Sequence, residues 1–169
     1  MKPFQGTTRI VLWGFYVSHI VATILIDGQV FVPQLYPQAL QDVLQWYIQQ
    51  TGDPLMSQPH PQWFIGAVIY EWRLQLPYCC CAAYFFSPSQ PTNQMYPDWF
   101  RTYSIIYGTN TCTTMMLILH HLYMDEQTLL LPLYMPYLLA PLYILYYSSA
   151  SAASACTTNN KSNNKTKAT

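Results

Sequence analysis

Four long apolar stretches are the feature that most restricts how this chain can fold. Each is close to the ~20 residues that an α-helix needs to cross a hydrocarbon layer of ~30 Å. Only 8% of the 169 residues are charged while 51% are hydrophobic, whereas a typical soluble domain carries about 25% charged residues. The sequence therefore predicts an all-α fold, a four-helix transmembrane bundle, with helices over residues 10–26, 63–86, 103–123 and 129–147.

The charges outside these stretches are divided unequally between the two sides of the predicted bundle. The connections on one side, residues 28–62 and 124–128, contain acidic residues but no Lys or Arg. The other side holds Lys2, Arg9, Arg101, Lys161, Lys165 and Lys167. Because cytosolic segments retain Lys and Arg, both termini are predicted to be cytosolic. The net charge of zero provides no basic surface for nucleic acid.

The C-terminal segment has a different composition from the rest of the chain. From Ser148 onward it reads SSASAASACTTNNKSNNKTKAT, a small and polar sequence of the kind that predicts disorder. We therefore divide the chain into a membrane domain, residues 1–147, and a disordered cytosolic tail, residues 148–169. Lys165 and Lys167 are the fifth and third residues from the end. This spacing resembles a dilysine retrieval signal and predicts residence in the endoplasmic reticulum membrane, with a merely basic tail as the alternative.

Polar side chains recur at helical spacing within the apolar stretches. Such groups are costly against lipid, so the helix face that carries them is expected to point into the bundle. The first helix has Tyr16, His19, Thr23 and Asp27, the second Glu71, Gln75 and Tyr78, the third Tyr107, Asn110, Thr111 and Thr114, and the fourth Tyr134 and Tyr137. One polar stripe on each of four helices predicts an intramembrane ligand cavity.

Carboxylates are expected at one end of this cavity. Asp27 ends the first helix on the non-cytosolic side, and Glu71 lies about two turns into the second helix from that side, so the two are predicted to meet. Asp53, in the connection, is expected to close over them. Clustered carboxylates do not all ionise easily, so one should hold a proton near neutral pH. Such a site suits a cationic ligand or a proton transfer, with inter-helix hydrogen bonds alone as the alternative.

Two further groups of residues need an interpretation. Arg73 lies on nearly the opposite helix face from Glu71, and a lone arginine in a membrane helix is costly, so we expect it to pair with a carboxylate elsewhere or to face a partner subunit. His120 and His121, with Asp125 and Glu126, are metal-ligating residue types, but an interfacial helix end is the simpler interpretation. We predict neither a metal site nor a cofactor.

Short stretches across residues 10–147 occur in the order of a known family. They are SHIVATILIDGQ at 18–29, Leu35-Tyr36-Pro37, Trp46-Tyr47, Asp53-Pro54-Leu55, Pro61-Gln62-Trp63-Phe64, Glu71 with Gln75-Leu76-Pro77, Ile105-Ile106-Tyr107, Thr113-Thr114 and Pro136-Tyr137-Leu138-Leu139. On this ordered set the chain resembles the sigma-two receptor family, four-helix membrane proteins of the endoplasmic reticulum. That family belongs to the EXPERA-domain group, together with the sterol isomerase called emopamil-binding protein.

The resemblance implies a non-catalytic protein that binds sterols and cationic amphiphilic ligands and acts in sterol or lipid handling, usually as a homodimer. It implies that Asp27 forms a salt bridge to a ligand's protonated amine and that Asp53 supports it. The remaining ligand-binding residues that it implies are Tyr47, Glu71, Gln75, Thr114, Leu133 and Tyr134. Arg73 departs from the family, which has an apolar residue there.

Two other functions remain open at this point. A sterol double-bond isomerase needs an acid, a base and stabilisation of the intervening cation, and Asp27, Glu71 and His19 are candidates for those roles. The chain is also compatible with a structural subunit of a larger organellar membrane complex, in which Arg73 and the cysteines at 79–81 meet partner helices.

Overall fold

All regular structure in the described part of the chain is helical. The computed structural model describes the backbone of residues 1–91, 93 and 95–166, and side chains within that part up to residue 152. The helices are α1 (Gly6–Leu25), α2 (Gln38–Thr51), α3 (Gln62–Tyr70), α4 (Leu76–Phe86), α5 (Asp98–Met124) and α6 (Leu131–Thr166). A π-helical turn, Glu71–Gln75, joins α3 and α4 into one continuous segment. The all-α prediction is confirmed.

The sequence predicts four helices, and the described residues form five helical segments. The additional one is α2, which lies in the first connection, begins after Pro37 and ends at Gly52. Gly52 has φ of 64°, the left-handed conformation that commonly terminates helices. Two stretches, Gly6–Val30 and Thr128–Ala152, are long and apolar enough to cross a membrane.

The C-terminal helix continues past the predicted domain boundary. The backbone of α6 is helical through Thr166, whereas the sequence analysis predicts a disordered tail from Ser148. Residues 148–155 are Ser and Ala only, and because Ala has the highest helix propensity, nothing there terminates the helix. No helix end therefore marks the boundary. Of Lys165 only the backbone is described, and Lys167 lies outside the described residues.

The apolar residues form two cores, one toward each end of the bundle. The first includes Leu12, Phe86 and Phe100, and the second lies beneath α2 and includes Leu55 and Leu122; all five are at most 5% exposed. Because lipid is as apolar as these side chains, they stabilise the bundle through van der Waals packing rather than through the hydrophobic effect. The candidate site lies beside the second core.

A close helix approach lies between α5 and α6. A Cβ atom at Gly108 would lie 2.7 Å from Cβ of Leu145 and 3.0 Å from the carbonyl oxygen of Pro141. Small residues allow such contact between membrane helices, and α6 is thereby held against α5 alongside the cavity.

A buried guanidinium connects the start of α1 to the end of α4. Arg9 is 4% exposed and donates to the carbonyl oxygens of Phe86, at 3.1 Å, and Gln90, at 2.7 Å, as well as to that of Ser87. The last carbonyls of a helix lack partners within the helix. Arg9 therefore satisfies groups that would otherwise be unpaired.

We expect Arg9→Met to lower the free energy of unfolding by about 3 kcal/mol, since hydrogen bonds to charged groups contribute about 1.5–3 kcal/mol each. Thermal unfolding in detergent measures the change. The matched control is Arg101→Met, because Arg101 pairs at 3.3 Å with an exposed carboxylate, Asp98, and such pairs contribute about 0–1 kcal/mol. Equal losses in the two variants would contradict the structural role of Arg9.

Candidate ligand-binding site

A cavity of about 350 Å³ lies among α1, α2, α3, α5 and α6. Its volume falls within the ~300–1,000 Å³ typical of small-molecule sites. The apolar lining residues are Ala22, Ile26, Val43, Trp46, Met56, Phe64, Ala67, Val68, Met115, Ile118 and Leu133. The polar ones are His19, Asp27, Tyr47, Glu71, Gln75, Thr111, Thr114, Tyr134 and Tyr137. The predicted cavity between the helices is therefore present in the fold.

Asp27 is the carboxylate at the end of α1. It begins a short 3-10 turn, Asp27–Val30, that ends the α-helix, and it is half-buried at the cavity wall. It interacts electrostatically with Glu71 and Asp53. Its carboxylate makes no hydrogen bond to any of the described residues, which leaves it free to accept one from a ligand.

The Glu71 carboxylate already has hydrogen-bonding partners within the protein. Its Oε1 accepts a hydrogen bond from Thr23 Oγ1 at 2.7 Å and lies 2.9 Å from His19 Nε2. His19 and Thr23 are 4% and 1% exposed, so the inward face of α1 is the one that the polar spacing predicts. This geometry ties α1 to the π-helical turn.

The π-helical turn determines what the second helical segment presents to the cavity. Pro77 follows it by two residues and has no N–H to donate to the carbonyl of Arg73, which favours a widened turn. Glu71 and Gln75, at the two ends of the turn, both line the cavity. Such turns are frequently found at functional sites.

Asp53 lies behind the cavity wall, where it anchors two tyrosines. It is 0% exposed and accepts hydrogen bonds from the hydroxyls of Tyr47, at 2.8 Å, and Tyr134, at 2.6 Å, and from the backbone N–H of Leu55, at 2.9 Å. Burial, together with the neighbouring Asp53 charge, raises the pKa of Tyr47 well above its ordinary value. Tyr47 therefore remains a donor, and α2 is bound to α6 through Asp53.

The structure brings together the residues that the sequence analysis selected. Those that line the cavity are Asp27, Tyr47, Glu71, Gln75, Thr114, Leu133 and Tyr134. Asp53 does not line it directly, whereas His19, predicted on the inward polar face of the first helix and as a candidate isomerase residue, does. Sequence reasoning missed Val43 and Trp46 of α2, although their spacing with Tyr47 is helical. Apolar residue type alone does not distinguish a cavity wall from a lipid-facing surface.

Arg73 lies outside the cavity. It is exposed and makes no ion pair or hydrogen bond to the residues that the structure describes. The expected pairing with a carboxylate is therefore not found among them, while contact with a partner subunit remains a prediction. Its charge is not directed at the carboxylates of the site.

One of the two histidines near the end of α5 forms a local contact. His121 Nε2 lies 3.5 Å from Asp125 Oδ2, four residues along the chain. In the described part of the chain, no three metal-ligating side chains converge.

An all-helical membrane fold that encloses a mostly apolar, carboxylate-bearing cavity defines the class of this protein. Residues 39–148, more than half of the chain, match the family described as EXPERA, the expanded EBP superfamily. The chain therefore belongs to the EXPERA family.

Individual relatives support the resemblance drawn from short stretches of sequence. The chain is 35% identical over 155 residues to sigma intracellular receptor 2 of Xenopus tropicalis, covering 81% of this chain and 86% of that protein. It is 34% identical over 161 residues to the proteins of that name from Macaca fascicularis and Homo sapiens, covering 83% of this chain and 88% of each. The chain is thus a sigma-2-like membrane protein.

Proposed function

We propose that this chain is a non-catalytic membrane protein that binds sterols and cationic amphiphilic ligands in its cavity and acts in sterol or lipid handling. The observation that carries the proposal is the Asp27 carboxylate, which has no hydrogen-bond partner among the described residues and lies at the edge of an apolar cavity. A protonated amine there would form a charge-assisted hydrogen bond. The apolar walls would cover the hydrocarbon part of the ligand.

The three carboxylates have different roles in this proposal. Asp53 and Glu71 are held by hydrogen bonds from the protein, at 2.6–2.9 Å, so they orient the cavity walls. The Asp27 carboxylate is therefore available to bind the ligand. Arg73 faces outward, and none of the Lys or Arg side chains that the structure describes lines the cavity to offset this negative charge. The local field thus favours a cation.

Saturation binding to the purified protein in nanodiscs tests the proposal. We expect saturable binding of a tritiated cationic amphiphile and of a tritiated sterol. The name of the relatives, which describes them as receptors, supports a binding role rather than a catalytic one. Absence of saturable binding of both ligands would contradict the proposal.

A sterol double-bond isomerase is a second candidate, favoured by one observation. The His19–Glu71 pair, at 2.9 Å, lines the same cavity as the unpartnered Asp27, which places proton donors and acceptors around one ligand volume. Incubation with an unsaturated sterol in D₂O, followed by mass spectrometry, distinguishes the two functions. A binding protein returns the sterol unchanged, whereas an isomerase shifts the double bond and incorporates deuterium.

The Glu71→Gln variant further distinguishes a sterol-binding protein from a sterol isomerase. The amide oxygen of Gln still accepts a hydrogen bond from Thr23, so we expect sterol affinity to change by less than about threefold, below the ~1 kcal/mol of a typical hydrogen bond. Sterol binding is measured in nanodiscs, and turnover in the D₂O assay. Sterol conversion by the native protein that is lost in Glu71→Gln would establish the isomerase in place of the binding protein.

We also propose a location and an assembly. The distribution of Lys and Arg supports a multi-pass membrane protein with both termini cytosolic, and the spacing of Lys165 and Lys167 supports residence in the endoplasmic reticulum. The exposed Arg73 supports a homodimer interface on the outer face of the π-helical turn. Antibody access to terminal tags after selective permeabilisation of the plasma membrane tests the orientation. Cross-linking in nanodiscs distinguishes a homodimer from a subunit that co-purifies with a larger complex.

A further inference from the structure

The α2 helix has three different faces along its length. Its buried face packs on the second core through Leu44, which is 7% exposed, with the half-buried Tyr47 and Ile48 beside it. Most of its other residues are exposed and form two stripes at helical spacing. The apolar stripe consists of Ala39, Val43 and Trp46, and the polar stripe consists of Gln38, Asp42, Gln45 and Gln49.

The two exposed stripes are separated around the helix axis. Each member of the apolar stripe follows a member of the polar stripe by one residue, which corresponds to a rotation of about 100°. The large apolar side chains are well exposed, Val43 at 50% and Trp46 at 62%. The apolar stripe ends before Gln50, one turn beyond Trp46. Such segregation of the outer surface indicates two different surroundings, one apolar and one aqueous.

The apolar stripe is continuous with the outer surface of a helix that is long enough to cross a membrane. Val43 and Trp46 line the same cavity wall region as Leu133 of α6, and the Leu133 side chain is 50% exposed. Leu133 belongs to the stretch Thr128–Ala152, which is apolar enough to lie in lipid. The apolar stripe of α2 therefore borders the lipid-facing surface of the bundle.

The composition of α2 indicates which kind of partner the apolar stripe fits. The helix contains no Lys, Arg or Glu, and its one acidic residue, Asp42, belongs to the polar stripe. An interfacial helix without basic residues is held by its apolar face rather than by attraction to anionic headgroups. Tryptophan, here Trp46, favours the boundary between lipid and water. The homodimer interface proposed above uses the outer face of the π-helical turn, so it leaves this stripe free for lipid.

We propose that α2 is an interfacial helix, with its apolar stripe inserted among the acyl chains of the bilayer and its polar stripe in water. In the proposed orientation, the leaflet that it enters is the non-cytosolic one. The first connection is then a membrane-bound surface rather than an aqueous loop. Val43 and Trp46 separate the cavity from lipid, so the bilayer supports one side of the site. The insertion itself does not depend on what the cavity binds.

Labelling with a membrane-impermeant maleimide tests this arrangement in the full chain, in phosphatidylcholine nanodiscs that hold one copy each. Val43→Cys and Ala39→Cys report on the apolar stripe, and Gln45→Cys and Gln49→Cys are their matched controls on the polar stripe. All four positions are exposed, so burial within the protein does not distinguish them. We expect the polar stripe to react at least about tenfold faster, because a thiol in hydrocarbon does not form the reactive thiolate. The native protein, labelled in parallel, gives the contribution of its own five cysteines.

Three results of this labelling would overturn the proposal. Equal rates on the two stripes would place both of them in water. Protection of Val43→Cys that appears only in nanodiscs holding two copies would show that a second copy of the chain covers the stripe. Protection that requires added phosphatidylserine would contradict insertion by an apolar face, since we expect the rates to be the same with and without this anionic lipid. Because the substituted positions are exposed, the unfolding temperature should be unchanged in every variant.

Trp46 provides a second measurement that needs no introduced cysteine. Subtracting the fluorescence of Trp46→Phe from that of the native protein isolates the emission of Trp46 among the five tryptophans. An interfacial helix lies about 5–10 Å into the boundary between headgroups and acyl chains, so lipids brominated near the headgroup should quench this emission more strongly than lipids brominated near the chain end. Quenching by neither lipid would overturn the insertion. Both measurements are made without a ligand, so their outcome is separate from that of the proposed function.

Discussion

Replacing Asp27 with Asn is expected to weaken the binding of a cationic amphiphile by about 100-fold, because truncating one partner of a buried charge pair costs about 2–5 kcal/mol. Asn has nearly the shape of Asp, and Asp27 makes no side-chain hydrogen bond to any described residue, so the fold should be retained. An unchanged unfolding temperature would verify this. Competition binding in nanodiscs measures the affinity.

Asp42→Asn is the matched control for this experiment. Asp42 is exposed on α2, where it accepts a hydrogen bond from Gln38 at 2.9 Å, and it does not line the cavity. The control therefore removes the same charge from the same side of the bundle and should change amine affinity by less than about threefold, as expected for a screened surface charge. Sterol affinity should be unaffected by either substitution. An amine affinity equal in Asp27→Asn and the native protein would remove Asp27 from the ligand site.

The second large expected effect concerns stability. Asp53→Ala should lower the free energy of unfolding by about 3 kcal/mol or more, because hydrogen bonds to charged groups contribute about 1.5–3 kcal/mol each and their donors would be left buried. The donors affected are the hydroxyls of Tyr47 and Tyr134 and the N–H of Leu55. Thermal unfolding in detergent measures the loss, with Asp42→Asn again as the control. A loss no larger than that of Asp42→Asn would show that Asp53 is not a structural anchor.

Asp53→Ala should also weaken the binding of sterols and amines together, in contrast to Asp27→Asn. Tyr47 and Tyr134 line the cavity from α2 and α6, and Asp53 accepts the hydrogen bonds that fix both hydroxyls. A double-mutant cycle with Tyr134→Phe isolates the contribution of one bond. Its coupling energy should be about 0.5–3 kcal/mol, the range for residues in direct contact. A coupling near zero would contradict the contact.

The helical class and the inward faces of the helices could be predicted from the sequence. Low charge over long apolar stretches favours a membrane fold, and polar residues three or four apart identify one face of a helix whatever its neighbours are. Tyr16, His19 and Thr23 are buried as their spacing predicts. The same reasoning predicts Asp27 and Glu71 at similar depth, and both residues line the cavity in the structure. These properties depend on local periodicity, which is contained in the sequence.

The hydrogen-bond partner of each carboxylate could not be predicted in this way. Glu71 is held by residues 48 and 52 positions away, and Asp53 by one 81 positions away. Spacing along one helix does not determine how that helix is rotated and inclined against its neighbours, and a difference of one or two ångströms decides whether a hydrogen bond forms. For the same reason, the sequence did not show that α2 lies along the cavity.

What the sequence by itself determined is therefore a membrane-embedded helical bundle with carboxylates on its inner faces. Only the tertiary structure decided that Glu71 and Asp53 are satisfied by the protein while Asp27 is not. It also decided that Arg73 faces outward. The physical reason is that burial and periodicity are properties of single helices, whereas hydrogen-bond satisfaction depends on atoms from several helices at once.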